Sequence, residues 1–329
     1  MTLIESRADA THSAVAPPTG RRRGRGDSLV PFLSGRSYWW YLLPGFALLT
    51  LIVLVPLVWN ISLSFTDYRG IMAPQWSGLD NWVMLFQDER FWLSFRNSVA
   101  MILAMVIAPT VIGLLVAAAL FDVIGRKFGA KLAAFLRATY YLPQILPSVI
   151  AAIVIGWILR PENGALNTIL QAVGLGQFAS NWLGVPDTAL VSLMVVLVWI
   201  QVGYPVVIFM AALERVDPEL YEAAEIDGAG WFRRFAAITM PMIRPEMFVV
   251  ALTCTIAALK VFGPVYALTG GGPNFATIVP SYYSYSQFFQ NQQVGYGATI
   301  ATALTAVIML VSIVFVWAQN RAERKERER

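Results

Sequence analysis

The apolar residues of this 329-residue chain gather into six runs, near Tyr41–Leu63, 98–121, 138–159, 189–213, 247–267 and 298–319. Each run is about 20 residues or slightly longer, enough to cross a roughly 30 Å hydrocarbon core as a helix. The alternation of a lipid-facing barrel strand is missing, so helices are the expected spanning structure. The six runs contain no Asp, Glu or Arg and a single lysine, Lys260. The pattern predicts an all-α membrane protein, a six-helix transmembrane bundle over 38–320 with no additional soluble domain. Residues 1–37 lack apolar periodicity and predict a disordered basic tail, and 321–329 a short charged one. The first run is too long for a signal-peptide core, and no small-x-small cleavage site follows it, so it is expected to remain as a span.

Composition agrees. The chain is 57% hydrophobic and only 13% charged, about half the charged fraction usual for a soluble domain. Helices buried in a large soluble core would not alternate so regularly with polar segments. Of 24 Lys and Arg residues, nineteen fall before the first run, after the second, after the fourth or at the end of the chain. Only Arg69, Arg90, Arg96 and Arg160 occupy the alternate segments. Because Lys and Arg are retained on the cytoplasmic side, both termini are expected inside.

Several chemistries are closed off. Cys254 is the only cysteine, which excludes an intrachain disulfide, and His12 is the only histidine, in a polar tail. A Ser-His-Asp triad, a histidine-bearing metal site and an intramembrane enzyme are all disfavoured. An ion-coupled carrier usually needs intramembrane carboxylates, and the runs have none. On composition alone an ion-coupled carrier or a channel subunit stays open as a class. No G-x-x-x-x-G-K-[ST] sequence is present, so the chain is not expected to bind ATP itself.

Among the outer segments, 268–297 has no charged residue, opens with Thr269-Gly270-Gly271-Gly272-Pro273 and continues with Tyr282, Tyr283, Tyr285, Phe288 and Phe289. Those rings read either as an interfacial belt or as a surface on which sugar stacks. The inner segment 214–246 is long and organised. Asp217 is a suitable N-cap, Pro218 suits the first helical position, and Glu219 and Glu222 fall in the first turns. Asp227-Gly228 supplies a stop, and a second amphipathic stretch, 231–239, runs to Met240-Pro241. Capping chemistry alone is compatible with an ordinary solvated helix or with a thin, alanine-faced helix that enters a cleft on another protein and offers it carboxylates.

Glu222-Ala223-Ala224, Asp227-Gly228-Ala229, Ile238-Thr239-Met240-Pro241 and Pro245 resemble the EAA loop of binding-protein-dependent ABC importer permeases. Gly228, Ile238 and Pro241 fall on that pattern's glycine, isoleucine and proline, and Met240 replaces its usual leucine. Over roughly 40–320 the chain is also similar to the carbohydrate-uptake branch of that family. The segments concerned are Ser64-Phe65-Thr66-Asp67-Tyr68, Gly78-Leu79-Asp80-Asn81-Trp82, Gly164 with Asn167, and Thr269 to Pro273. That branch commonly carries an acidic residue where this chain has Gly263.

The resemblance implies a type I importer fold in a bacterial or archaeal cell membrane. Its expected partners are a second homologous permease, two ATPase subunits that hold ATP and Mg, an extracytoplasmic solute-binding protein and a sugar or related solute; nucleic acid is not among them. It places the ATPase-coupling helix over 218–230, with Glu222, Ala223, Ala224, Asp227, Gly228 and Ala229 as its working residues. By offset from that loop it places the substrate path at Gln201 and Tyr204 on the fourth span, and at Cys254, Ala257, Ala258 and Lys260 on the fifth. Gln201 and Tyr204, three apart, share a helix face, and interhelical hydrogen bonding is the alternative reading of both. Lys260 marks a ligand site by default or snorkels to the outer headgroups.

Overall fold

A computed structural model describes residues 38–71, 73–125 and 128–327, so the expected disorder of 1–37 lies outside the described residues. The chain divides into two units, Met1–Pro56 and Leu57–Arg329. In the first, helix Tyr38–Leu49 passes through Pro44 into a π turn, Thr50–Leu54. Residues 41–49 are all exposed although almost all are apolar, a surface suited to lipid or to another membrane chain.

Among the described residues, four helices are long and apolar enough to span: Tyr41–Leu63, Glu89–Phe121, Pro186–Leu213 and Val294–Ala322. The other two expected spans are not straight. In place of an unbroken 138–159, helix Lys131–Ile145 meets Ser148–Ile158 at 96°. Pro147 accounts for the break: it holds Leu146 in an extended conformation, φ −66° and ψ 137°, and restarts the chain as the next helix's N-cap. In place of 247–267, helix Arg244–Leu259 ends at Lys260, and a short helix, Gly263–Leu268, resumes beyond Phe262. Sixteen residues of helix measure about 24 Å, short of a full crossing. At its other end Arg244–Leu259 meets Trp231–Met242 at 70°.

The second, fourth and fifth spans form the centre of the larger unit. Leu114, Leu120, Val206, Phe209, Leu213, Val250 and Cys254 make one buried cluster. Met101, Met105, Leu193, Leu197, Ala258 and Val265 make another. With lipid as solvent, close backbone approach holds helices together better than apolar area does. A Cβ built at Gly113 would stand 2.5 Å from the Pro205 Cβ, and one at Gly203 would stand 2.5 Å from the Tyr140 carbonyl. Gly263 is confined less tightly, by the side chains of Val149 and Ser148 at 2.8 and 3.2 Å, so an acidic residue at that position needs those side chains to shift.

At the end of the bundle opposite 214–246, polar side chains pair the connecting segments. Asn81 donates to the Ser64 and Thr66 carbonyls, at 3.1 and 2.9 Å, which binds the two sequence segments 64–68 and 78–82 to each other. Asn167 donates to Pro161 and Ser180 carbonyls and accepts from Trp182 Nε1. Asn97, buried in the second span, donates to the carbonyls of Ala276 and Ile278 and fixes the glycine-rich loop. Asp88 caps helix Glu89–Ala118 through the Arg90 N–H and accepts the hydroxyls of Tyr283 and Tyr296. Burial, with the Asp88 carboxylate beside it, raises the Tyr283 phenol well above its ordinary range and keeps it neutral.

Candidate coupling site and transport path

Helix Pro218–Ile226 forms where capping chemistry predicts it. Asp217 accepts the Glu219 N–H at 3.0 Å, with Pro218 in the first turn. The helix stops by a Schellman arrangement: Gly228 N–H donates to the Glu225 carbonyl and Ala229 N–H to the Ala224 carbonyl, at 3.0 and 2.9 Å. That closure requires the left-handed φ of +72° at Gly228. Nothing lies within 4 Å of a Cβ built there, so the glycine serves backbone conformation alone.

Two contacts fix this helix to the second half of the loop, and a third closes the loop's base. Tyr221, 6% exposed, shares a 3.0 Å hydrogen bond with the buried Thr239. Glu225 pairs with Arg234 at 2.9 Å. At the base of the loop, Arg215 pairs with Glu246, joining the end of the fourth span to the start of the fifth. Away from these anchors the helix is bare. Glu222, Ala223 and Asp227 are exposed, while Ala224 and Ala229 are half-buried. Ile226 is 87% and Phe232 81% exposed. Sequence reasoning passed over these last two as working residues. The signal was available, since two large apolar side chains in a charged inter-span segment are out of place unless something covers them.

The predicted path residues separate into two groups. Gln201, Cys254 and Ala258 are buried, and Gln201 Nε2 donates to Cys254 Sγ at 3.5 Å. These three hold the fourth and fifth spans together. Tyr204 is half-buried and donates to Thr253 Oγ1 at 3.3 Å, Ala257 is half-buried, and Lys260 is exposed at the break that ends its helix. Val249, Thr253, Ala257 and Lys260 thus mark one accessible helix face beside Tyr204. Lys260 forms no ion pair among the described residues. Two clefts, of 590 and 430 Å³, contain none of the six predicted residues.

The chain is thus a helical membrane protein with an anchored, apolar-tipped helix between its fourth and fifth spans. Residues 110–328 match the family of binding-protein-dependent transport system inner membrane components, and the chain belongs to it. It is 32% identical over 289 residues to the probable ABC transporter permease protein YurN of Bacillus subtilis, covering 88% of this chain and 95% of that one. It is 37% identical to the diacetylchitobiose uptake system permease protein NgcF of Streptomyces coelicolor, covering 82% and 77%. Its fold is similar to that of a bacterial ABC transporter involved in import of the acidic polysaccharide alginate, with a TM-score of 0.72 at 22% identity, covering 87% and 95%.

Proposed function

We propose that this chain is one of two permeases that together enclose the path of a saccharide through an ATP-driven importer. The carrying observation is the exposed helix Pro218–Ile226, tipped by Ile226 and anchored through Tyr221 and Glu225, in a loop whose base is closed by the Arg215–Glu246 pair. Its bare face fits a groove on a separate ATPase, with Ile226 and Phe232 supplying apolar contact and Glu222 a charge-assisted hydrogen bond. The anchors and the pair at the loop's base tie the loop to the spans, so closure of an ATPase pair would draw the coupling helices together and open the membrane cavity outward, and hydrolysis would reset it inward. ATP and Mg belong to the ATPases. The positive-charge bias puts this loop and both termini in the cytoplasm.

A saccharide is supported by the kinship with NgcF and by the mixed lining of the accessible face, with a phenol, a hydroxyl and an ammonium at Tyr204, Thr253 and Lys260. That face lacks an opposite wall, which a second permease supplies. An external binding protein delivers the solute to the end bearing Asp80 and Tyr283. Purification of the tagged chain from its host in mild detergent tests the assembly. Recovery with an ATPase and a second polytopic protein is expected; recovery alone or as a homo-oligomer across several detergents would return the chain to the carrier or channel class.

A further inference from the structure

Five aromatic rings from two separate segments meet at the outer end of the broken fifth span. Phe262 and Tyr266 stack at 5.6 Å with planes 23° apart. Tyr285 stands edge-on to both, with centroids at 5.1 and 5.5 Å. Tyr282 lies 6.4 Å from Tyr266, and Phe289 extends the group from Tyr285 at 5.1 Å. A core cluster of this size would be shielded, yet Tyr266 is 48% and Phe289 66% exposed. Beneath the rings the floor is firm. Val261, Val265 and Val279 are buried, and Ser281 Oγ donates to the Val261 carbonyl, which pins helix Pro280–Tyr285 to the break.

Phe262 stands two residues beyond Lys260, so the cluster continues outward from the accessible face of Tyr204, Thr253 and Lys260. Interfacial belts distribute single rings around a bundle at headgroup depth; here the rings converge on one spot. A pyranose has an apolar C–H face and a rim of hydroxyls. Ring faces backed by rigid aliphatic packing, with phenol hydroxyls at their edges, complement both features.

We propose that Phe262, Tyr266, Tyr282, Tyr285 and Phe289 form an outer saccharide subsite that holds one sugar ring of an oligosaccharide before it reaches the face at Lys260. The inference rests on the saccharide reading above and extends it to substrates of two or more rings. Its rigidity means that little order is lost when a sugar binds.

The test uses the purified complex of this chain with its second permease and ATPases, without binding protein. Glucose, diacetylchitobiose and maltotriose are titrated by ligand-observed NMR, and uptake is measured in proteoliposomes with the binding protein restored. Tyr266→Ala with Tyr285→Ala is expected to weaken binding of the bound oligosaccharide about tenfold, while Tyr266→Trp with Tyr285→Trp retains it. Subunit composition and basal ATPase activity stay unchanged in both variants. Unchanged affinity in the alanine variant overturns the subsite alone. Equal loss in both variants, or loss of the second permease, assigns the rings to packing or to the subunit interface and also overturns it. A wild-type complex that binds and takes up oligosaccharides through other residues is distinguished from one that handles no saccharide, which overturns the saccharide reading as well.

Discussion

The Tyr221 hydroxyl and the Thr239 hydroxyl lie 3.0 Å apart in a buried position, joining helix Pro218–Ile226 to the stretch that leads into the fifth span. A neutral hydrogen bond of this kind contributes about 1 kcal/mol net, but leaving one partner buried and unpaired costs about 1–3 kcal/mol. Tyr221→Phe or Thr239→Val alone should therefore destabilise the complex and lower transport per ATP hydrolysed. Combining the two should be less damaging than their sum. Thermal unfolding of the four species in a double-mutant cycle checks this, and strict additivity would remove the pair from the coupling route.

Gly228 holds φ at +72° in open surroundings. Gly228→Ala should then cost about 1–2 kcal/mol, purely from backbone conformation. Gly228→Asn should recover part of that loss, because Asn visits the left-handed region more readily. Melting temperature and yield of co-purified ATPase report both effects. Equal behaviour of the two variants would mean that the turn relaxes to another conformation.

Glu222 is exposed and makes no ion pair among the described residues. Glu222→Lys is accordingly expected to leave membrane insertion intact while abolishing ATP-driven uptake. Ile226, at 87% exposure, should lose about 2 kcal/mol of ATPase contact on change to Ser if that side chain becomes fully covered. Normal uptake by the Lys variant would sink the coupling role of this helix.

Lys260 ends helix Arg244–Leu259 at an exposed position beside the accessible face. Lys260→Ala should change substrate affinity more than assembly, read as saccharide titration against recovery of the intact complex. Identical transport kinetics would instead assign the ammonium to the headgroups, where a long flexible side chain reaches readily.

Much of this architecture was legible because membrane crossing is a strong constraint on sequence. Four apolar runs appear as helices close to their predicted places, and the cap at Asp217 and stop at Gly228 follow from local chemistry. The second span begins nine residues earlier than its apolar run, since Asp88 caps a polar first turn that hydropathy does not register. Pro147 was visible as a residue, but a 96° redirection at that point depends on what both halves pack against. The path residues divided for a similar reason. Periodicity placed Gln201 with Tyr204, whereas the contact with Cys254 turned the former into the packed interface.

By itself the sequence determined the membrane class, the number of apolar crossings to be accommodated and the capped loop between the fourth and fifth. Each rests on interactions within a few residues or on the thickness of the bilayer, so spacing alone carries it. Only the tertiary structure decided that Gln201 and Cys254 face inward and that rings twenty residues apart, Phe262 and Tyr282, meet on one surface. Those outcomes depend on which faces of distant helices come together, and no local pattern in the chain encodes that choice.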